Sequence, residues 1–388
     1  MPSTAESLAF DETVTCSVCK QIEFKNNNIN WKERRQQLDE LVNSYREKYD
    51  YDCIVPFSGG KDSTFTLWYL VTQLHLKPLV VRFDHGFLRP NVQECAERTF
   101  RRLGCDVIHF SPNWQVVRKL MFEALVRRGD FCWHCHTGIF SYPLWVAIKF
   151  NIPLVFWGEP DGEYSSYYNY EEIQEADEMR FNRFINLGIN AEDMLGMLDN
   201  SISEYPVTER DLKPYTYPPL KEMRRAKIRS VFLGTYISWD VREQVSIIKR
   251  ELDWKEDVVE GVPPNYYYEK IECYMQGVRD YIKYLKRGFG RTAHLASIDI
   301  RNHRLSREEG IKLTKEYDGK RPAALDYFLK ILGITEEQLM TIIARHVVAP
   351  HEMPPLDDIK RVDSAPQDFA SLNAKISGWQ KEVERIDD

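Results

Sequence analysis

The run CIVPF (53–57), followed at once by SGGKDS (58–63) and then TFTLWYLVTQL (64–74), decides the fold. Five consecutive apolar residues match the length of a strand buried on both faces, the pattern of a parallel sheet. The glycine pair forces a tight turn, and the segment after it has helical length and spacing. Strand, glycine-rich loop and helix in that order open a βα unit.

The same alternation continues outward. PLVVRF (78–83) reads as a second strand ending in Asp84-His85-Gly86, and a helix from Asn91 to Leu103 leads to a third strand over 106–110. A helix over 114–128, a segment FCWHCHTGIF (131–140), a helical stretch over 142–150 and a strand in IPLVFWGE (152–159) complete the unit. Strands separated by helices imply an α/β fold with a doubly wound, mainly parallel sheet over residues 50–160. Before it, residues 1–49 hold a CxxC segment and a helix over 31–49. After it, residues 161–350 read as mainly helical, with Pro206, Pro214, Pro218, Pro219, Pro263 and Pro264 marking turns. Residues 351–388 read as a peripheral charged tail that either docks on a partner or, as favoured here, is solvated.

Composition limits the function. The 388 residues carry 52 Lys plus Arg against 59 Asp plus Glu, a net charge of -7, with 43% hydrophobic and 13% aromatic residues. Such a chain buries a real core, and it lacks the positive excess that coating a nucleic acid requires, so no nucleic-acid partner is expected. No window reaches the roughly 18 apolar residues of a membrane span, and the N-terminus lacks a secretion signal, so a cytoplasmic protein is expected.

A glycine-rich loop between a buried strand and a helix turns backbone N–H groups toward an anion at the positive end of the helix. In SGGKDS, Gly59 and Gly60 permit close approach, Lys61 adds a cation, Ser58 and Ser63 add hydroxyls, and Asp62 can help hold Mg²⁺. The glycines directly precede the lysine, which excludes the GxxxxGK[ST] loop. The motif instead resembles the PP-loop of the ATP pyrophosphatases. That resemblance implies cleavage of ATP between its α and β phosphates, with Lys61, Asp62 and Ser63 acting in catalysis. It also implies ATP contacts from Ser58, Gly59, Gly60, Phe83, Asp84, Gly158 and Glu159 at the carboxyl ends of parallel strands.

Of eight cysteines, four form two CxxC pairs, Cys16/Cys19 and Cys132/Cys135. Two such pairs can make a closed four-thiolate site, and structural Zn²⁺ is expected if the N-terminal segment folds back on the second pair. An iron–sulfur cluster is the alternative. Cys53, Cys95, Cys105 and Cys273 read as small core residues.

Over nearly its whole length the chain resembles the N-acetyl sugar amidotransferases of surface-polysaccharide (lipopolysaccharide, O-antigen) biosynthesis. The resemblance rests on the N-terminal CxxC, FSGGKDS, CWHCHTGIF, VFWGE, GTYISWD (234–240), the long segment 274–301 and LSREEG (305–310). Pro160-Asp161-Gly162 stands where a His-Gly pair is expected. The family implies that ATP adenylates the acetamido oxygen of a nucleotide-linked N-acetyl sugar and that ammonia then displaces AMP, leaving an acetamidino group. Ammonia would come from a separate glutaminase subunit, with or without a cyclase-like companion. Sugar-nucleotide contacts are expected from His85, Tyr236, Trp239, Asp240, Lys286, Arg291 and Arg301, with Arg287 in the same KRGFGR cluster. Tyr164, Tyr167, Tyr168 and Tyr170 read as either a lid or a packed loop. A tRNA thiolase is the rival, because it too combines a PP-loop with CxxC pairs.

Overall fold

A computed structural model of the chain describes residues 1–163, 169–199, 205–362 and 369–384. Tyr164, Tyr167 and Tyr168 lie outside the described residues. Strands β1 (Cys53–Pro56), β2 (Pro78–Phe83), β3 (Asp106–Phe110), β4 (Leu154–Trp157) and β5 (Arg229–Phe232) form one sheet in the order β3-β2-β1-β4-β5. Every pairing is parallel. The order reverses between β1 and β4, the topological switch point at which α/β sheets open a ligand crevice.

The helices before and between the first four strands are α1 (Ser17–Asn28), α2 (Trp31–Asn43), α3 (Lys61–Thr72), α4 (Pro90–Leu103), α5 (Trp114–Arg128) and α6 (Trp133–Phe150). Alternation along β1 sends side chains to both faces. Cys53 and Val55 pack with Phe65, Leu67 and Leu70 of α3, whereas Ile54 packs with Leu144, Val146 and Ala147 of α6. Leu67 and Leu70 are fully buried, and each such side chain contributes about 1.5–3 kcal/mol. This two-sided burial explains the unbroken apolar run in β1.

Four strands lie where the apolar runs place them. β5 is an addition within the stretch read as helical. It is only four residues long, but its Ser230 hydroxyl accepts a 2.7 Å hydrogen bond from the Trp157 indole of β4, fixing it as the sheet edge. Two further differences concern helices. Residues 17–28 form α1, whose N-cap is Cys16, and α6 begins at Trp133, so the second CxxC opens a helix. The tail, expected to be solvated, instead docks. Its helix Ala370–Glu384 buries Leu372 and Ile376, Lys375 donates to the Gly86 carbonyl at 2.8 Å, and Trp379 stacks on Trp114 with ring centroids 3.4 Å apart. The apolar spacing Phe369, Leu372, Ile376 is the face that docks.

The helix Gln276–Arg287 shows how the later region is built. Val278, Tyr281, Ile282 and Leu285 are buried among residues of the helices Ala324–Leu332 and Glu336–Ala344, while Gly288, at φ +74, closes the helix in the left-handed conformation that glycine adopts without strain. Its opposite face is cationic. No helix among the described residues is long and apolar enough to cross a membrane.

Candidate functional site

SGGKDS sits at the carboxyl end of β1, with Gly158 and Glu159 at the end of β4 beside it. Gly59 adopts φ +92, and a Cβ there would lie 2.6 Å from Val92 Cγ1 of α4, so both backbone conformation and space demand glycine. The Ser58 and Gly59 N–H groups donate to Ser63 Oγ at 3.3 Å, and the Gly60 N–H donates to Ser58 Oγ at 3.2 Å. The loop is thus a shell of donors closed on its own hydroxyls. Gly158 packs so closely on α3 that a Cβ would come within 2.8 Å of Thr66 Oγ1.

Lys61 is only 3% exposed, with Nζ 2.7 Å from Asp62 Oδ2 and 2.8 Å from Glu269 Oε2. Burial alone would lower its pKa, but Asp62, Glu269 and Glu159 hold it well above the ordinary lysine value, so Lys61 is a fixed cation. Glu159 shows the opposite response: burial first, then the neighbouring Asp62, push its pKa well up. Glu272 lies over the loop, its Oε2 3.0 Å from where a Gly60 Cβ would stand.

Asp62 Oδ1, Glu159 Oε1 and Glu272 Oε2 are buried and have no hydrogen-bond partner among the described residues. These orphaned oxygens fit a divalent cation that arrives with phosphates. They do not form a ready-made cage, because no group of three or more His, Cys, Asp or Glu side chains among the described residues is close enough to hold an ion. Mg²⁺ characteristically binds through one or two carboxylates plus substrate phosphates.

Lys61 leads to a second feature through Glu269, whose Oε1 lies 3.8 Å from Arg291 Nη1. Arg291 lines a cavity of about 520 Å³ together with Lys286 and Arg301. Three expected sugar-nucleotide residues therefore converge. The cavity adds Arg279 and Lys283, which share a helix face with Lys286, and His294 and Ser297, which share one with Arg291 and Arg301. Those spacings of three and four were the signal in the sequence that would have found them. Burial, then repulsion from neighbouring cations, lowers Lys283 to about 7 and Lys286 to about 8. The Nε atoms of Arg279 and Arg301 are buried without a partner among the described residues. Acidic side chains line the cavity too: Asp130 pairs with Arg279, Asp280 with Arg291 and Glu6 with Arg287, so the cations outnumber the carboxylates but most are already partnered.

Other expected residues lie elsewhere. Asp240 caps the helix Val241–Leu252, accepting from the Arg242 N–H at 2.9 Å, and pairs with Arg304. Tyr236 is packed in the core. Trp239 meets Phe65 edge-on at 5.7 Å and leaves its indole N–H without a partner among the described residues. Phe83 packs on Phe110 and Tyr215, and Asp84 makes a turn by accepting from the Gly86 N–H at 2.8 Å. His85 is buried beneath the C-terminal helix; burial carries its pKa down to about 4 against the pull of Asp84. Tyr170 is a buried packing residue whose hydroxyl donates to Glu163.

The cysteines remain as separate groups. Cys16 and Cys19 have their sulfurs 3.1 Å apart, Cys16 lines the cavity, and all eight thiols are free. Among the described residues the two pairs do not come together as a group of three or more side chains able to hold a metal ion.

Residues 261–353 match a protein-family profile described as "LPS biosynthesis protein WbpG-like, C-terminal domain". A stretch of 102 residues, 26% of this chain, is 28% identical to an uncharacterized protein of Methanocaldococcus jannaschii and covers 35% of it. The chain thus spans about a third of that relative's length. The match covers the segment that supplies Glu269 and Glu272 to the loop and Lys286, Arg291 and Arg301 to the cavity, and it supports a place for this chain in lipopolysaccharide biosynthesis.

Proposed function

We propose that the protein is an ATP-dependent amidotransferase that converts the acetamido group of a nucleotide-linked N-acetyl sugar to an acetamidino group, for lipopolysaccharide or O-antigen synthesis. One observation carries this reading: a phosphate-type loop at the sheet's switch point joins, through Lys61, Glu269 and Arg291, a cationic cavity suited to a sugar diphosphate.

The reaction implied by the family resemblance can be laid onto that arrangement. The acetamido oxygen attacks the α-phosphorus of ATP, the bond to the β-phosphate breaks, and pyrophosphate leaves. Lys61, and the N–H groups of Ser58, Gly59 and Gly60 once they turn from the Ser63 and Ser58 hydroxyls, would neutralise charge growing on that leaving group, where fixed donors help most. Mg²⁺, held by the phosphates with Asp62, would supply further charge neutralisation. Ammonia then adds to the imidate carbon, and AMP departs with the former acetamido oxygen. The cavity cations orient the acceptor through its diphosphate, replacing a bimolecular encounter with a fixed geometry. A separate glutaminase would supply ammonia. The chemistry uses no step at the cysteines.

The test is incubation of the purified protein with ATP, Mg²⁺, ammonium and a panel of nucleotide-linked acetamido sugars carrying ¹⁸O in the acetamido group. Label in AMP, together with a sugar product in which NH replaces oxygen, is the expected result. AMP formed only with bulk tRNA and a sulfur donor would overturn the assignment in favour of a thiolase.

A further inference from the structure

Glu269 touches both sites. The residue is 5% exposed, with Oε2 on Lys61 and Oε1 facing Arg291. Burial opposes its ionisation, but Lys61, Lys270 and Arg291 hold it ionised, with a pKa of about 2. Arg291 is itself shared, because Asp280 Oδ1 lies 3.1 Å from its Nη2.

Lys61 Nζ is held by two carboxylates, so a phosphate drawn to it competes with both for the same charge. Asp62 is its chain neighbour on α3. Glu269 belongs to another segment and has a second cation within reach. We propose that Glu269 is a positioning residue shared by the ATP loop and the acceptor cavity, yielding Lys61 to phosphate by shifting its charge onto Arg291. This inference rests on the reading of the loop as an ATP site.

The sign of the coupling follows. With ATP on Lys61 and an acceptor diphosphate on Arg291, the buried Glu269 carboxylate loses both of these counter-ions, which is costly. Each ligand therefore weakens the other by the same factor, since coupling between binding sites is reciprocal. The same competition favours product release. Once the α–β bond is cut, Glu269 returning to Lys61 displaces pyrophosphate.

The experiment is a double-mutant cycle on ATP affinity, measured by calorimetry with Mg²⁺ present, for wild type, Glu269→Gln, Arg291→Met and the double variant, with circular dichroism confirming the fold. Typical coupling energies correspond to roughly 5- to 150-fold. Glu269→Gln should tighten ATP binding about tenfold, and Arg291→Met should weaken it by about fivefold, values near the low end of that range. The double variant should match Glu269→Gln, because Arg291 acts on ATP only through Glu269. A purely structural role for Glu269 would weaken ATP binding instead. The inference fails if Glu269→Gln does not tighten binding, or if the Arg291 effect persists in the Glu269→Gln background. Wild type that binds no ATP would overturn the proposed function as well, whereas normal AMP formation with additive effects would overturn the coupling alone.

Discussion

Replacing Lys61 with methionine should separate two consequences that the structure ties to one ammonium group. The side chain keeps its bulk but loses the charge that Asp62 and Glu269 share at 2.7 and 2.8 Å. For catalysis, loss of one preorganised charge at a leaving group costs about 3 kcal/mol, so AMP formation should fall 10²- to 10³-fold. For stability, the pKa of Glu269 is near 2 against an ordinary 4.5, a difference of about 2.5 units or about 3 kcal/mol at most, shared among Lys61, Lys270 and Arg291. A depressed carboxylate pKa stabilises the fold above the unfolded-state value and ceases to do so as pH falls through the folded value. Wild type should therefore lose this contribution between about pH 4.5 and 2, and Lys61→Met should already lack much of it at pH 7. Urea unfolding at pH 7 and pH 3, alongside AMP release, measures both effects. The double variant Lys61→Met/Glu269→Gln should regain stability without regaining activity. AMP formation within tenfold of wild type, or unchanged stability at neutral pH, would refute the reasoning.

Three further outcomes are expected. Lys283 and Lys286, with pKa values lowered to about 7 and 8, lose charge as pH rises, so the acceptor KM should climb between pH 7 and 9; Lys286→Met should flatten the upper part of that rise. Gly59→Ala must accommodate φ +92 and a Cβ 2.6 Å from Val92, so ATP affinity measured by calorimetry should fall at least tenfold while circular dichroism stays native-like. Leu372→Ala in the docked C-terminal helix should lower unfolding free energy by about 2–5 kcal/mol in urea titrations, whereas a solvated tail would leave it unchanged.

The parts of the fold visible in the sequence were those set by local chemistry. CIVPF and LVFW declare themselves because burial on both faces leaves no polar position, and PLVVRF breaks its apolar run only at the buried Arg82. RSVF does not, being short and carrying Arg229 and Ser230 at a sheet edge. Helix α1 escaped notice because its apolar positions are sparse, and the docking of the tail depended on three residues whose partners lie far away in the chain. The loop was legible for the reason its strand was: a compact motif contains its own geometry. Lys286, Arg291 and Arg301 were found as a charge cluster, but Glu269 and Glu272 could not be. Nothing near EKIEC marks it as lying over SGGKDS, and only tertiary packing brings them together. Asp240 illustrates the reverse case, since a carboxylate after aromatic residues suits either a ligand or a helix cap, and its neighbours decide for the cap.

The pairing of Lys61 with Glu269 also bears on how the molecule acquires its site. Strand β1, its loop and α3 are contiguous and can form early, whereas Glu269 must be brought back across four further strands and the helices between them. Contacts of such high sequence separation impose a large loop-closure entropy and form slowly. During folding, then, the loop exists first with its lysine neutralised by Asp62 alone. It becomes the structure described above only when the distant segment arrives, so the acquisition of regular structure and the maturation of the site are separate events in time.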